Sequence, residues 1–213
     1  MAIVPPASAL AELSVAVEPL QRACPGLRWA SPENRHLTLA FLGEVSEQVL
    51  PELTLRLERA ARRHPPTQLA LTGGGTFPSA SHARVLWAGV SADRAALRRL
   101  AASVAAGARR AGAAPPDEGR KYHPHLTLAR SAAPADLTSV LVGLRSFAGS
   151  SWTAASIQLI RSHLGGGPPR YEGIGAFPLA AATAHGRVSG TNVSDRPGAP
   201  AREGTGPDGL PDG

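Results

Sequence analysis

The tetrapeptide His-Leu-Thr-Leu stands at residues 36–39 and again at 125–128. On a β-strand, residues i and i+2 share a face. Each copy therefore puts an imidazole beside a hydroxyl: His36 with Thr38, and His125 with Thr127. Leu37, Leu39, Leu126 and Leu128 fall on the opposite face, where a core would take them. Histidine gives or takes a proton near neutral pH, and threonine donates a hydrogen bond to an anionic oxygen. If the two strands converge, one histidine serves as base and the other as acid on opposite sides of a phosphate. Both hydroxyls then hold its non-bridging oxygens. A single His-x-Thr on a strand is ordinarily a packed pair. Two copies argue for function, because Val or Ile would fill a core without polar groups to satisfy.

The surrounding pattern supplies the elements that must hold these strands. Apolar residues Leu10, Leu13, Val17 and Leu20 recur at helical spacing behind Pro5 and Pro6, predicting a helix over 7–23. A short strand at 27–30 and the first motif strand, 36–42, follow. Ser46 opens a helical pattern that runs to Ala60. Strands are expected at 68–71 and 83–90 around the turn-rich TGGGTFPSAS, then an Ala- and Leu-rich helix at 93–110 with a basic face. After the APPDEG loop come the second motif strand at 122–129, a short helix at 134–142, and strands at 151–162 and 171–179 around a GGGPP turn. With neighbouring strands close enough to pair, this order reads as α+β with antiparallel sheets. The recurrence of a motif strand followed by a helix points to two related lobes rather than a solenoid.

Of 213 residues, 43% are hydrophobic and 18% charged, which fits a globular chain. Residues 1–183 read as its folded domain. Residues 184–213 hold almost no large apolar side chain and read as a flexible tail. The net charge of +6 favours an anionic partner, but Lys121 is the sole lysine among arginines in an Ala-, Gly- and Pro-rich chain, so charge alone gives nucleic acid modest support. One cysteine, Cys24, excludes an intramolecular disulfide and a multi-cysteine metal site. No run of 18 apolar residues suggests a membrane span, and the Pro-broken N-terminus makes a poor signal peptide. A cytoplasmic monomer with no obligate protein partner is the expectation.

Other residues bear on the chemistry. His123 and His125 share a strand face and so form a possible metal pair, but no Asp, Glu or Cys takes a comparable ligand position; no metal or cofactor is expected. Phe77 and Tyr122 flank loops and are candidates to stack on a nucleobase. Trp87, inside RVLWAGV, reads as core. Arg84 and Arg161 read as solvated residues that border a cleft at most. The glycine runs at 73–75 and 165–167 lack the Lys-Ser/Thr that follows a phosphate loop and read as turns. Cys24 lies in a Cys-Pro-Gly break with no base arranged beside it.

The two motifs also carry a likeness. HLTLAFLGEV and YHPHLTLAR resemble the paired His-x-Thr-x signatures of the 2H phosphoesterase superfamily, and in particular its RNA 2′,3′-cyclic phosphodiesterases, historically called 2′-5′ RNA ligases. RWASPENRHLTLAFLG, GGGTFPS, RVLWAGV and IQLIRSHLGGGPPRYEGIGAFPL follow that family's pattern in order, over about residues 2–180. The resemblance implies two pseudo-symmetric lobes, each an antiparallel sheet backed by helices, with the active site in the cleft between them. It implies metal-independent opening of a 2′,3′-cyclic phosphate, on RNA ends or cyclic nucleotides, to a 2′-phosphomonoester, with reversible 2′-5′ ligation as a further capacity. By the same likeness His125 activates water, His36 protonates the departing 3′ oxygen, Thr38 and Thr127 hold the phosphate, and Arg130 adds a cation. Two departures stand out: the chain enters at MAIVPP and lacks the family's longer first strand, and the tail has no counterpart in the family core. Two readings compete, a metal-dependent phosphohydrolase built on His123 and His125, and a non-catalytic module that binds RNA ends.

Overall fold

The computed structural model describes residues 1–113, 122–163, 165 and 169–180. The APPDEG loop, most of the GGGPP turn and the expected tail at 184–213 lie outside the described residues. Every element below falls within Met1–Thr183.

Helix α1, Ala7–Ala23, starts directly after Pro6 and buries Ala9, Leu13 and Val17 along one stripe. Helix α2, Leu50–Ala61, starts later than the periodicity suggests, because Pro51 lacks an N–H and is tolerated in a first turn. Residues 46–49 form a turn instead. Helix α3, Arg94–Arg110, is capped by Asp93, whose Oδ1 accepts from the amides of Ala95 at 2.8 Å and Ala96 at 3.1 Å. Helix α4 is Thr138–Leu144.

The strands are β1 (Ala2–Ile3), β2 (Arg28–Trp29), β3 (Leu37–Thr38), β4 (Thr67–Phe77), β5 (Ala83–Ser91), β6 (His125–Ala135), β7 (Trp152–Ala154), β8 (Ser156–His163) and β9 (Arg170–Pro178). They pair antiparallel in the order β7-β4-β5-β6-β3-β1-β8-β9, with β2 also on β6. The sheet has two halves that meet at β6 and β3. Helices α1 and α4 pack together against β4, while α2 packs on α3 and on β9. The fold is α+β, with each half-sheet backed by a helix pair and one motif strand at the inner edge of each half.

Several strand expectations change: the first motif strand, expected at 36–42, is only Leu37–Thr38, and the second, expected at 122–129, runs from His125 to Ala135. The entry at MAIVPP, expected to lack the family's longer first strand, holds a short one: Ala2–Ile3 form an inner strand between β3 and β8, with Ala2 opposite both Thr38 and Gln158. The single strand expected at 151–162 is two, because β7 pairs with β4 and β8 with β1 and β9. The glycines at 73–75 are not a turn but the continuation of β4, where Gly74 pairs with Ala88 and Gly75 with Trp87. The reason is steric: a Cβ on Gly75 would overlap the Trp87 indole, and one on Gly74 would lie 2.6 Å from Leu144 Cδ1. Gly73, at φ +53, sits at the β-bulge between Thr72 and Gly74. Among the described residues no helix is long and apolar enough to cross a membrane.

Candidate active site

Leu37 of β3 pairs with Leu126 of β6 in antiparallel register. His36 therefore lies opposite Thr127, and Thr38 opposite His125. The four polar residues form two cross-strand His–Thr pairs around a local two-fold axis through the leucine pair. All four are half-buried, whereas Leu37, Leu39, Leu126 and Leu128 are buried on the other face. The alternation apolar-in, polar-out gives each motif strand a core face and a site face.

Both imidazoles are oriented in the same way. His36 Nδ1 lies 3.0 Å from the Asn34 carbonyl and His125 Nδ1 2.8 Å from the His123 carbonyl. A carbonyl only accepts, so each Nδ1 carries the hydrogen and each neutral ring keeps its Nε2 lone pair for a ligand. Burial holds the pKa of His36 below 6.5, against the opposing effect of the Asn34 hydrogen bond and with smaller contributions from the Met1 ammonium and His125. Burial likewise lowers His125, opposed by its bond to the His123 carbonyl and helped by the charges of His123 and Arg130.

A β-bulge brings Arg130 to this face. Leu86 pairs with Ala129 but Trp87 with Thr127, so β6 carries one extra residue between them, and Arg130 then lies opposite Val85. Val85 and Trp87 share a face of β5, so Arg130 rejoins the face of His125 and Thr127 that strict alternation would have denied it. Leu128 and Ala129, consecutive and both buried, record the irregularity.

Aromatic rings frame both histidines. Phe77 stands edge-on to His125 at a centroid distance of 5.0 Å and to His123 at 5.6 Å. Trp87 lies 4.9 Å from His123 and 6.2 Å from His125. It is half-buried on the site face rather than core, since it lies opposite Thr127. Tyr171, at the start of β9, packs edge-on against His36 at 4.9 Å. Asn34 Nδ2 reaches the Pro169 carbonyl at 3.2 Å, so the turn that orients His36 is tied to the same segment. Tyr122 packs against the core, and its hydroxyl is buried without a partner among the described residues; burial pushes its pKa up. It is a poorer stacking platform than Phe77.

Sequence reasoning assigned no role to Tyr171, and only the cross-sheet register places Trp87 on the site. His123 is exposed and 6.2 Å from His125, centroid to centroid, and no group of three or more metal-type ligands occurs among the described residues. Arg84 donates to the Ala132 carbonyl at 3.1 Å, and Arg161 takes the strand face of Ile157 and Leu159, away from Gln158.

The sequence pattern of the 2′-5′ RNA ligase superfamily matches residues 5–166. The chain belongs to that superfamily. It is 33% identical over 195 residues to an RNA 2′,3′-cyclic phosphodiesterase of Thermus thermophilus, covering 89% of this chain and 91% of the relative. A second RNA 2′,3′-cyclic phosphodiesterase, from Aeropyrum pernix, is 34% identical over 135 residues, 63% of this chain and 74% of its own. A solved structure from Thermus thermophilus superposes with a TM-score of 0.67 at 31% identity, over 85% of this chain and 97% of the other. Escherichia coli LigT in complex with 3′-AMP does so at 0.65 and 28%, over 84% and 95%. This member of the superfamily keeps both His-x-Thr pairs on one face of adjoining strands.

Proposed function

We propose that this superfamily member hydrolyses 2′,3′-cyclic phosphate, at RNA ends or on nucleotides, to a 2′-phosphomonoester. The relatives named as RNA 2′,3′-cyclic phosphodiesterases support the reaction, and one observation above all supports the mechanism: the Leu37–Leu126 pairing that sets the two His–Thr pairs about a local two-fold axis. A phosphate centred between the strands has an Nε2 on each side, as in-line displacement requires.

The chemistry divides between the rings. His125, held below the usual imidazole range mainly by burial and to a lesser degree by the charges of His123 and Arg130, accepts a proton from water as the water oxygen bonds to phosphorus. The bond from phosphorus to the 3′ oxygen breaks, and His36, entering the step protonated, gives that oxygen its proton. Hydroxyls of Thr38 and Thr127 donate to the non-bridging oxygens, and Arg130 offsets the charge that gathers there. The phosphate stays on the 2′ oxygen. No metal takes part in this reading, and joining of ends through a 2′-5′ linkage is the same ring opening, with a 5′-hydroxyl in the place of water attacking phosphorus as the 3′ oxygen leaves. Phe77, Trp87 and Tyr171 supply apolar walls, Phe77 being the ring best placed to meet a base.

The test is phosphorus NMR of 2′,3′-cyclic AMP incubated with the protein in excess EDTA. Appearance of the 2′-monophosphate signal supports both the mechanism and its regiochemistry. Activity abolished by EDTA and restored by a divalent ion would replace it with a metal-dependent reaction.

A further inference from the structure

The chain lying along β6 opposite the second motif is not continuous. Thr38, Leu37 and His36 face residues 125–127, and then residues 31–35 loop out through a 3₁₀ turn at Pro32–Asn34. The line is taken up again by Ala30, whose amide donates to the Leu128 carbonyl at 2.8 Å, and by Trp29 and Arg28, paired with Ala129 and Arg130. Trp29 and Ala129 face inward; the Trp29 indole donates to the Cys24 carbonyl at 3.1 Å and Ala129 is buried. Arg28 and Arg130 therefore face outward together, on the face the bulge restored to the site.

Two guanidinium groups directly opposite on neighbouring strands repel one another, and such a pair ordinarily costs stability. Both are exposed, and neither has a hydrogen-bond or carboxylate partner among the described residues. Paired guanidiniums with free N–H forks are suited to a phosphate, which each grips bidentately. Because of the bulge, Arg130 and Thr127 lie opposite Val85 and Trp87, two strand positions apart, roughly 7 Å. Arg130, whose charge already bears on His125, serves the phosphate centred on the His–Thr pairs, which leaves Arg28 for a neighbouring phosphate of the same strand.

We infer that Arg28, beside Arg130, forms a second phosphate subsite that takes the phosphodiester on the 5′ side of the terminal nucleotide, so that a strand end is opened faster than a free cyclic mononucleotide. The inference rests on the reaction proposed above. Arg130 leans toward His125 when the terminal phosphate is bound, and Arg28 takes the next phosphate.

The experiment compares kcat/KM for 2′,3′-cyclic CMP with that for a trinucleotide ending in the same cyclic phosphate, in the native protein, Arg28→Ala and Arg28→Lys. Loss of one charge-assisted contact predicts that Arg28→Ala lowers the ratio of trinucleotide to mononucleotide kcat/KM by about tenfold or more. Arg28→Lys retains more of that ratio than Arg28→Ala, and the salt dependence of trinucleotide binding becomes shallower in Arg28→Ala. A ratio equal to the native one in both variants overturns the subsite while leaving the reaction standing. If the native protein opens neither substrate, the reaction itself falls and the subsite with it. Arg28 is exposed, and matched thermal melts of the two variants separate a binding effect from a folding one.

Discussion

Leu37 and Leu126 are partners across an antiparallel ladder, and that one pairing places His36 against Thr127 and Thr38 against His125. Two identical tetrapeptides, 89 positions apart, become a single four-residue face because the antiparallel register superimposes their central leucines. A shift by one residue would break this, sending His and Thr of one motif to the core side and its leucines to the site side.

The first prediction concerns the rings. His36→Ala and His125→Ala each lower turnover of a 2′,3′-cyclic phosphate by about 10²–10⁴-fold, the usual worth of a positioned acid or base. Both variants stay folded, since the rings are half-buried and the core faces are leucine. Single-turnover rates beside circular dichroism check this, and near-native rates in both variants would refute the acid–base pair.

The second concerns pH. Both rings are held below the ordinary 6.5, mainly by burial. The reaction requires one ring neutral and the other protonated, so kcat/KM is bell-shaped with its maximum below pH 6.5. Its limbs are macroscopic constants of the coupled pair. A bound phosphate places negative charge beside both rings and raises their pKa, so the kcat profile lies at higher pH than the kcat/KM profile. A flat profile from about pH 5 to 8 would contradict the assignment.

The same shifts make a stability prediction. The unfolded chain takes up protons on these two histidines near 6.5, and the folded chain resists doing so. Stability is therefore lost as pH falls through that range and below it, until the folded pKa values are passed. Inorganic phosphate, which favours the protonated rings, opposes the loss. The midpoint of thermal unfolding should rise more on adding phosphate at about pH 6 than at about pH 8.

The motif faces, the inward leucines, α1 and α3 were legible in the sequence because each rests on a local periodicity. What was hidden depended on partners distant in the chain. The run at Gly73–Gly75 looks like a turn until the Trp87 indole is seen to need the space above Gly75. Arg130 would be given the wrong face by alternation alone, since the bulge that turns it back is defined by its register against β5. Tyr171 meets His36 only because β9 folds back beside the turn at Asn34. Pro51, a strictly local signal, was in plain view and should have delayed the start of α2.

That glycine run carries its own prediction. Gly75→Ala inserts a Cβ where the Trp87 ring lies, so the indole must move from its place beside Phe77 and His123. The cost is about 1–3 kcal/mol in urea unfolding, the usual penalty of overpacking. Loss of turnover accompanies it, because Phe77 and Trp87 together border His125. Gly165→Ala has nothing within 4 Å of the added carbon and serves as the control.

Removing the hydroxyls distinguishes the two halves of the site. Thr38→Val and Thr127→Val preserve shape and strand propensity while deleting a donor to the phosphate. If the hydroxyls act mainly in the transition state, each variant loses kcat with KM little changed, by less than the histidine variants unless one hydroxyl is the principal oxyanion donor. The local two-fold axis predicts losses of similar size, because each threonine faces a histidine across the same ladder. Arg130 breaks the equivalence, lying on the strand of Thr127 and beside His125. It gives the oxygens near Thr127 a second donor, so Thr127→Val should be the milder of the pair. A larger loss at Thr127 than at Thr38 would place the developing charge on the β6 side and reverse the roles of the two histidines.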